Sequence, residues 1–209
     1  MIIPVFRVMR VVILTDENLR KELLANTNAV PKNITWIDTV LQFQDHMEAD
    51  VWIDLVFDKA HISGLKDFLP KTIIINSVED TLGETDPSFV RINAWPTFLR
   101  SDIIEAAALR AEKKETIETI FSLFNKKIQW LPDEPGFVTP RVISMIINEA
   151  FISLKEEVST EDEIDTAMKL GTNYPYGPFE WAHKIGIDKI KSLLKKLNIH
   201  HERYTSFIH

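Results

Sequence analysis

The chain has 209 residues, 31 acidic against 24 basic side chains for a formal net charge of −7, six glycines and no cysteine. That length allows one large domain or a domain with a smaller companion, and the missing cysteines remove disulfides, thiolate metal sites and thiol nucleophiles together. Nucleic acid is excluded as the main partner, because neutralising phosphates needs clustered Lys and Arg that an acidic chain does not supply.

Residues 1–14 are apolar but interrupted by Pro4, Arg7 and Arg10, and no uncharged span of ~18 residues occurs anywhere. The expectation is a cytoplasmic protein, neither exported nor membrane-spanning. Residues 8–14 are dense in Val, Ile and Leu and predict a buried strand. A short helix over 16–24 follows, with Thr15 or Asp16 as its N-cap. Further strands are expected at 34–37, 51–57, 72–75, 89–93 and 128–131, with helices between some of them, notably 40–47 and 114–124. Strand and helix alternating in this way predict a parallel sheet with crossover helices. The glycines fall at 64, 83, 136, 171, 177 and 186, so any N-terminal loop that brings backbone against a pyrophosphate must do so without glycine.

Past Leu131 the texture changes. Pro132-Asp133-Glu134-Pro135-Gly136 is a breaker cluster, and it divides the chain into residues 1–132 and residues 133–209. The second part reads as all-α. Thr139 is expected to cap a helix with Pro140 at its first position, and residues 142–154 are apolar nearly all round, which predicts burial on more than one side, in a bundle or against a second subunit. Thr160-Glu161-Asp162-Glu163 is a capping box for the next helix, closed by Gly171. A turn rich in proline and aromatics runs from Tyr174 to Phe179. A helix to Gly186 and a last one over 188–197 complete the chain.

The C-terminal runs carry a resemblance. Pro135-Gly136-Phe137-Val138, Arg141 and Asn148-Glu149-Ala150 resemble the entry into the helical domain of 3-hydroxyacyl-CoA dehydrogenases. Ile164-Asp165-Thr166-Ala167-Met168-Lys169-Leu170-Gly171 and Tyr174-Pro175-Tyr176-Gly177-Pro178-Phe179-Glu180 continue it in the same order. The resemblance implies a Rossmann-like N-terminal domain, here truncated, followed by a helical domain that forms a homodimer. It also implies NAD as cofactor, an acyl-CoA substrate, a His base oriented by a Glu, and Ser and Asn contacts to substrate.

Carried over residue by residue, the resemblance lands on altered positions. Leu14, Asp16 and Leu19 stand where the family has three glycines, and Asp16-Glu17 puts two carboxylates where the diphosphate would lie. Asn93 stands at the His position, Glu105 at the orienting Glu, Ser77 at the family's Asn–Ser turn and Pro140 at its Asn. A carboxamide accepts no proton near neutral pH. The expectation is therefore an α/β-then-α protein that binds no NAD, keeps Glu105, Asn93 and Ser77 as site residues, and serves as an acyl-CoA-binding or interaction homodimer. The alternatives are an active dehydrogenase using Glu105 or His183 as its base, and a purely structural subunit. Asp38, weighed as a ribose contact, reads better as the end of a strand or a cap. Residues Glu105 to Leu109 read as helix on local propensity, although the resemblance implies a strand. Among the six histidines no metal-binding spacing occurs, and the lysines from Lys184 to Lys196 read either as a phosphate attractor or as a solvated helix face.

Overall fold

The computed structural model describes residues 9–27, 29, 31–199 and 201–208. Val8, at the start of the first expected strand, lies outside them, as do His200 and His209. The strands are β1 (Val11–Leu14), β2 (Ile34–Ile37), β3 (Val51–Asp54), β4 (Thr72–Asn76), β5 (Val90–Ile92), β6 (Ile103–Ala108) and β7 (Lys127–Trp130). They form one seven-stranded sheet in the order β2-β1-β3-β4-β5-β6-β7. Neighbours run parallel except β5 and β6, which are antiparallel. This is a Rossmann-like sheet with a C-terminal helical layer.

The strand signal came from burial on both faces. Val11 and Ile13 point to one side, with Val51 and Ile53 beside them, and meet Leu19 and Leu23 of α1 (Glu17–Leu24) and Ile117, Ile120 and Phe121 of α3 (Lys114–Ser122). Val12 and Leu14 point to the other, against Phe43, Trp52 and Phe68, beside the short α2 (Ile62–Lys66). Strands buried on both faces must be continuously apolar, which is the pattern the sequence shows. The expected helix at 40–47 is a 3-10 turn, Val40–His46, and its opening is tied by Gln42 Oε1 accepting from the Asp38 and Thr39 amides. Asp38 thus ends β2.

Glu105-Ala106-Ala107-Ala108 is strand, against the helix its alanines predict. β6 is an interior strand bonded to β5 and β7, and Ala106 and Ala107 are buried on opposite faces. A few tenths of a kcal/mol of helix propensity per residue do not outweigh two ladders of hydrogen bonds and burial.

The helical layer comprises α4 (Thr139–Lys155), α5 (Glu161–Thr172), α6 (Pro178–Ile185) and α7 (Ile187–Asn198). Two sequence expectations shift here. The N-cap of α4 is Val138, not Thr139, because Thr139 turns its amide and hydroxyl to Glu105 of the sheet. Gly171 lies inside α5, and Asn173, at φ +57°, closes it in the left-handed conformation that Asn tolerates. The capping box of Thr160 and Glu163 forms as expected. Asp165 of α5 accepts from the Phe179 and Glu180 amides at 2.8 and 3.0 Å and so caps α6. A Cβ at Gly177 would overlap that carboxylate, which explains the Gly177-Pro178 pair at this turn. No helix among the described residues is long and apolar enough to cross a membrane.

Arg91 of β5, fully buried, joins the two layers. Its Nε meets Asp133 Oδ1 at 2.5 Å, Nη1 donates to Ser77 O at 3.1 Å and Nη2 to Glu134 O at 2.6 Å. Its guanidinium carbon lies 4.1 Å from the centre of the Phe137 ring. Removing one partner of a buried pair leaves the other charge uncompensated, at a cost of about 3–5 kcal/mol. Asp133→Ala is expected to lower unfolding stability by that amount in urea titration, and a loss under about 1 kcal/mol would contradict the role given to the pair.

Candidate functional site

The C-terminal ends of parallel strands are where a sheet of this type gathers ligand-contacting loops, and three loops meet the helical layer there. Asn93 follows β5 directly. The antiparallel β6 places Glu105 beside it, with the Asn93 amide donating to Glu105 O at 2.9 Å. The side chains repeat the link, Asn93 Nδ2 donating to Glu105 Oε2 at 3.0 Å, and both residues are buried. Glu105 Oε1 accepts from the Val138 amide (3.2 Å), the Thr139 amide (2.9 Å) and the Thr139 hydroxyl (3.0 Å). Asn93 Oδ1 accepts from the Trp95 amide at 3.3 Å. Every oxygen of the pair is occupied by the protein itself, and the carboxylate sits at the start of α4, where the helix dipole favours negative charge.

Ser77 lies apart from this pair. Its buried hydroxyl donates to Asp80 O at 2.9 Å within its own turn, and no hydrogen bond among the described residues joins it to Asn93 or Glu105. Asn76 is the structural member of that turn. It donates to Leu55 O and Ala94 O and accepts from the Ala94 amide, pinning the ends of β3 and β4 to the loop after β5. His183, weighed as a substitute base, is exposed on α6.

Between the strand ends and α7 is a cleft of about 230 Å³, lined among others by Asp16, Leu19, Asn76, Glu79, Trp95 and Lys189. Asp16 caps α1, its Oδ1 accepting from the Leu19 amide at 2.8 Å. Glu79 was not singled out from the sequence, where the only signal was an acidic residue just past an expected strand. Burial pushes its carboxyl above the usual range, against the opposing pull of Lys189 and a hydrogen bond from Trp95.

The family model described as the 3-hydroxyacyl-CoA dehydrogenase C-terminal domain matches residues 136–206. Over 81 residues, 38% of its length, the chain is 46% identical to the 3-hydroxyadipyl-CoA dehydrogenase of Escherichia coli K12. Over 109 residues, half of its length, it is 35% identical to the 3-hydroxybutyryl-CoA dehydrogenase of Clostridioides difficile. Residues 136–206 thus match the C-terminal domain of 3-hydroxyacyl-CoA dehydrogenases, and the relatives found are enzymes of that family. The matched stretches make up 17% and 36% of those two relatives, so the chain spans about a third or less of their length. The solved structure of M. tuberculosis FadB2 superposes with a TM-score of 0.71 over 95% of this chain and 90% of that one, at 14% identity, a likeness of fold.

The resemblance to 3-hydroxyacyl-CoA dehydrogenases implies NAD at the β1–α1 turn, where Leu14, Asp16 and Leu19 stand in place of glycines. A diphosphate at the start of α1 would displace a carboxylate already seated on the Leu19 amide, and would meet Leu14 and Leu19 where glycines allow close approach. A like unit charge at ~4 Å costs about 1 to 4 kcal/mol, against a helix-dipole gain of about 0.3 to 1 kcal/mol.

A second side-chain pair lies at the end of β3. Asp54, fully buried, accepts from the Val56 amide at 3.1 Å and pairs with His61 Nδ1 at 2.7 Å. The sequence reading ran the strand through this residue, and a lone carboxylate in an apolar run was the signal passed over. Burial raises its pKa from 3.8 to about 6, with His61 pulling the other way. The folded chain then holds a proton that the unfolded chain has lost between about pH 4 and pH 6, so this group's contribution is complete below that window and disappears as pH rises through it. Asp54→Asn is expected to remove a fall of about 3 kcal/mol across the window. Urea midpoints measured at intervals from pH 4 to pH 6.5 would show it, and an unchanged slope in the variant would contradict it.

Proposed function

We propose that this chain is a 3-hydroxyacyl-CoA dehydrogenase relative without nicotinamide chemistry, acting as an acyl-CoA-binding or interaction homodimer. The observation that carries the reading is the closed Asn93–Glu105 pair. A base must accept a proton from substrate, and the side chain at this position is a carboxamide that donates to Glu105. Loss of a positioned base typically removes about 10²- to 10⁴-fold of rate. Glu105 does not replace it, since four protein donors already occupy its oxygens. The capped start of α1 supports the same reading for the cofactor. Glu105, Asn93 and Ser77 remain the family-matching positions, with Glu105 and Asn93 serving to join the sheet to α4. The division at 132/133 is retained as the boundary between the Rossmann-like part and the helical part.

Trp95 reports on the cleft. Its fluorescence is expected to show no saturable quenching by NADH at micromolar concentration, and no NADH oxidation is expected with acetoacetyl-CoA. Saturable quenching accompanied by turnover would overturn the reading. Binding of acetoacetyl-CoA alone, without turnover, would separate a ligand-binding protein from a pure interaction module.

The homodimer rests on α4. Ile143, Ile147 and Ala150 are buried against the chain's own helices, while Val142 is half exposed. Val142, Met145 and Ile146 line an apolar groove of about 390 Å³ edged by Arg141, Arg203 and Glu149. A two-fold contact would set the arginines of one copy against Glu149 of the other, which suits a self-complementary surface. Light scattering at micromolar concentration is expected to give twice the chain mass, and Ile146→Glu to give a folded monomer. A monomeric parent would remove this part of the proposal.

A further inference from the structure

A second cleft, of about 330 Å³, opens between α1, the 3-10 turn Phe98–Arg100 and α6. Lys21, Arg100 and Lys184 line it against one carboxylate, Glu22, in a chain whose net charge is −7. Glu22 is already committed. Both of its oxygens accept from the Thr97 amide, each at 2.9 Å, and burial pushes its carboxyl above the usual range. Lys21 is paired at 2.6 Å with Glu17, one helical turn away on an exposed face. The Arg100 guanidinium makes no side-chain hydrogen bond among the described residues, and its charge acts on the Glu22 carboxylate, opposing the effect of burial there. The Lys184 ammonium lies over the Tyr176 ring, 4.9 Å from its centre.

The wall of this cleft is set in advance. Thr97 has φ +84°, a region a β-branched residue rarely occupies. Glu22 holds it there from one side. From the other, Trp181 Nε1 donates to the Thr97 hydroxyl at 3.2 Å. Residues strained in this manner persist where surrounding contacts over-determine them, and ligand clamps are one such place.

We infer that this cleft is an oxyanion-binding site, shaped for a carboxylate or phosphate group on a small ligand. Arg100 supplies a planar fork that matches either oxyanion in two-point contact, and Lys184 supplies a point charge, with Lys21 at the rim already paired to Glu17. The excess of cations over Glu22 disfavours a metal ion or an ammonium group. Lys21 and Arg100 come from the sheet layer and Lys184 from the helical layer, so the anion bridges the two. The site does not depend on the acyl-CoA reading, since the group bound is defined by its oxygens alone.

Calorimetric titration of the full chain with inorganic phosphate, and separately with adipate, at ionic strength held constant with sodium chloride, tests the site. Saturable binding of at least one of the two is expected, and the tighter one identifies the source of the oxyanion. Arg100→Gln and Lys184→Gln are each expected to weaken binding by about tenfold, the loss of one charge-assisted contact. Both side chains are exposed, so the ligand-free melting temperature should not move. The inference falls if neither anion saturates, if chloride competes on equal terms, or if the double variant binds as the parent does.

Discussion

The buried guanidinium of Arg91 is the constraint that organises the molecule. A charge with no solvent access persists only when it is paired and its donors are satisfied. Here the partners are Asp133 and the carbonyls of Ser77 and Glu134. Two of those three belong to the segment that leaves β7, so the chain must return across the sheet before it can start α4. Asp133 fixes the return a second time by accepting from the Leu82 amide, and the Gly136 amide donates to Val78 O. Gly136, at φ +81°, packs against Leu193 and Arg141 so closely that a Cβ would collide with both. The breaker cluster that the sequence marks as a boundary is a clamp as well, and it delivers Val138 and Thr139 to Glu105.

That delivery explains why Glu105 persists beside a residue that is no base. The first amides of a helix lack partners within the helix, and a carboxylate reaching from β6 satisfies those of Val138 and Thr139. Hydrogen bonds to a charged group contribute about 1.5–3 kcal/mol each. An acid kept for this purpose needs no substrate, and Asn93 serves it by donating to the remaining oxygen while its own carbonyl holds the Trp95 amide. Trp95 and Trp181 then belong to one apolar cluster that glues the helical layer to the sheet. The Asn93–Glu105 pair is a joint between layers.

The strands were legible because burial on two faces leaves an unbroken apolar run, and 34–37, 72–75 and 128–131 were placed to within a residue. What failed was local reading where a distant partner decides the outcome. Ala106 to Ala108 are strand because β5 and β7 flank them. Thr139 is not a cap because Glu105 claims it, and Gly171 does not stop α5 because Asn173 does. At the site, Asn93 and Glu105 lie together as the resemblance implies and against the helix that local propensity predicts at Glu105, while Ser77 turns to its own loop. Arg91, Asp54 and Glu79 carry no such signal, since a single charge inside or beside an apolar run looks like a strand end until its partner is seen, 42 residues away for Arg91 and seven for Asp54.

The two clefts share Pro96 and divide the charge of one junction between them. On one side, Asp16 and Glu79 face the start of α1, the helix end that would otherwise favour an anion. On the other, Lys21, Arg100 and Lys184 gather toward the end of the same helix, with Glu22 turned to Thr97. Acidic side chains thus gather near the start of α1, with Lys189 opposite them, and basic ones toward its end. Because Coulomb energy at contact distance exceeds the dipole contribution, the side chains and not the helix decide where negative charge can settle. An anionic ligand entering this junction is repelled from the glycine-free turn and drawn toward Arg100, and Trp181 and Thr97 couple its seat to the packing of α6 on the sheet.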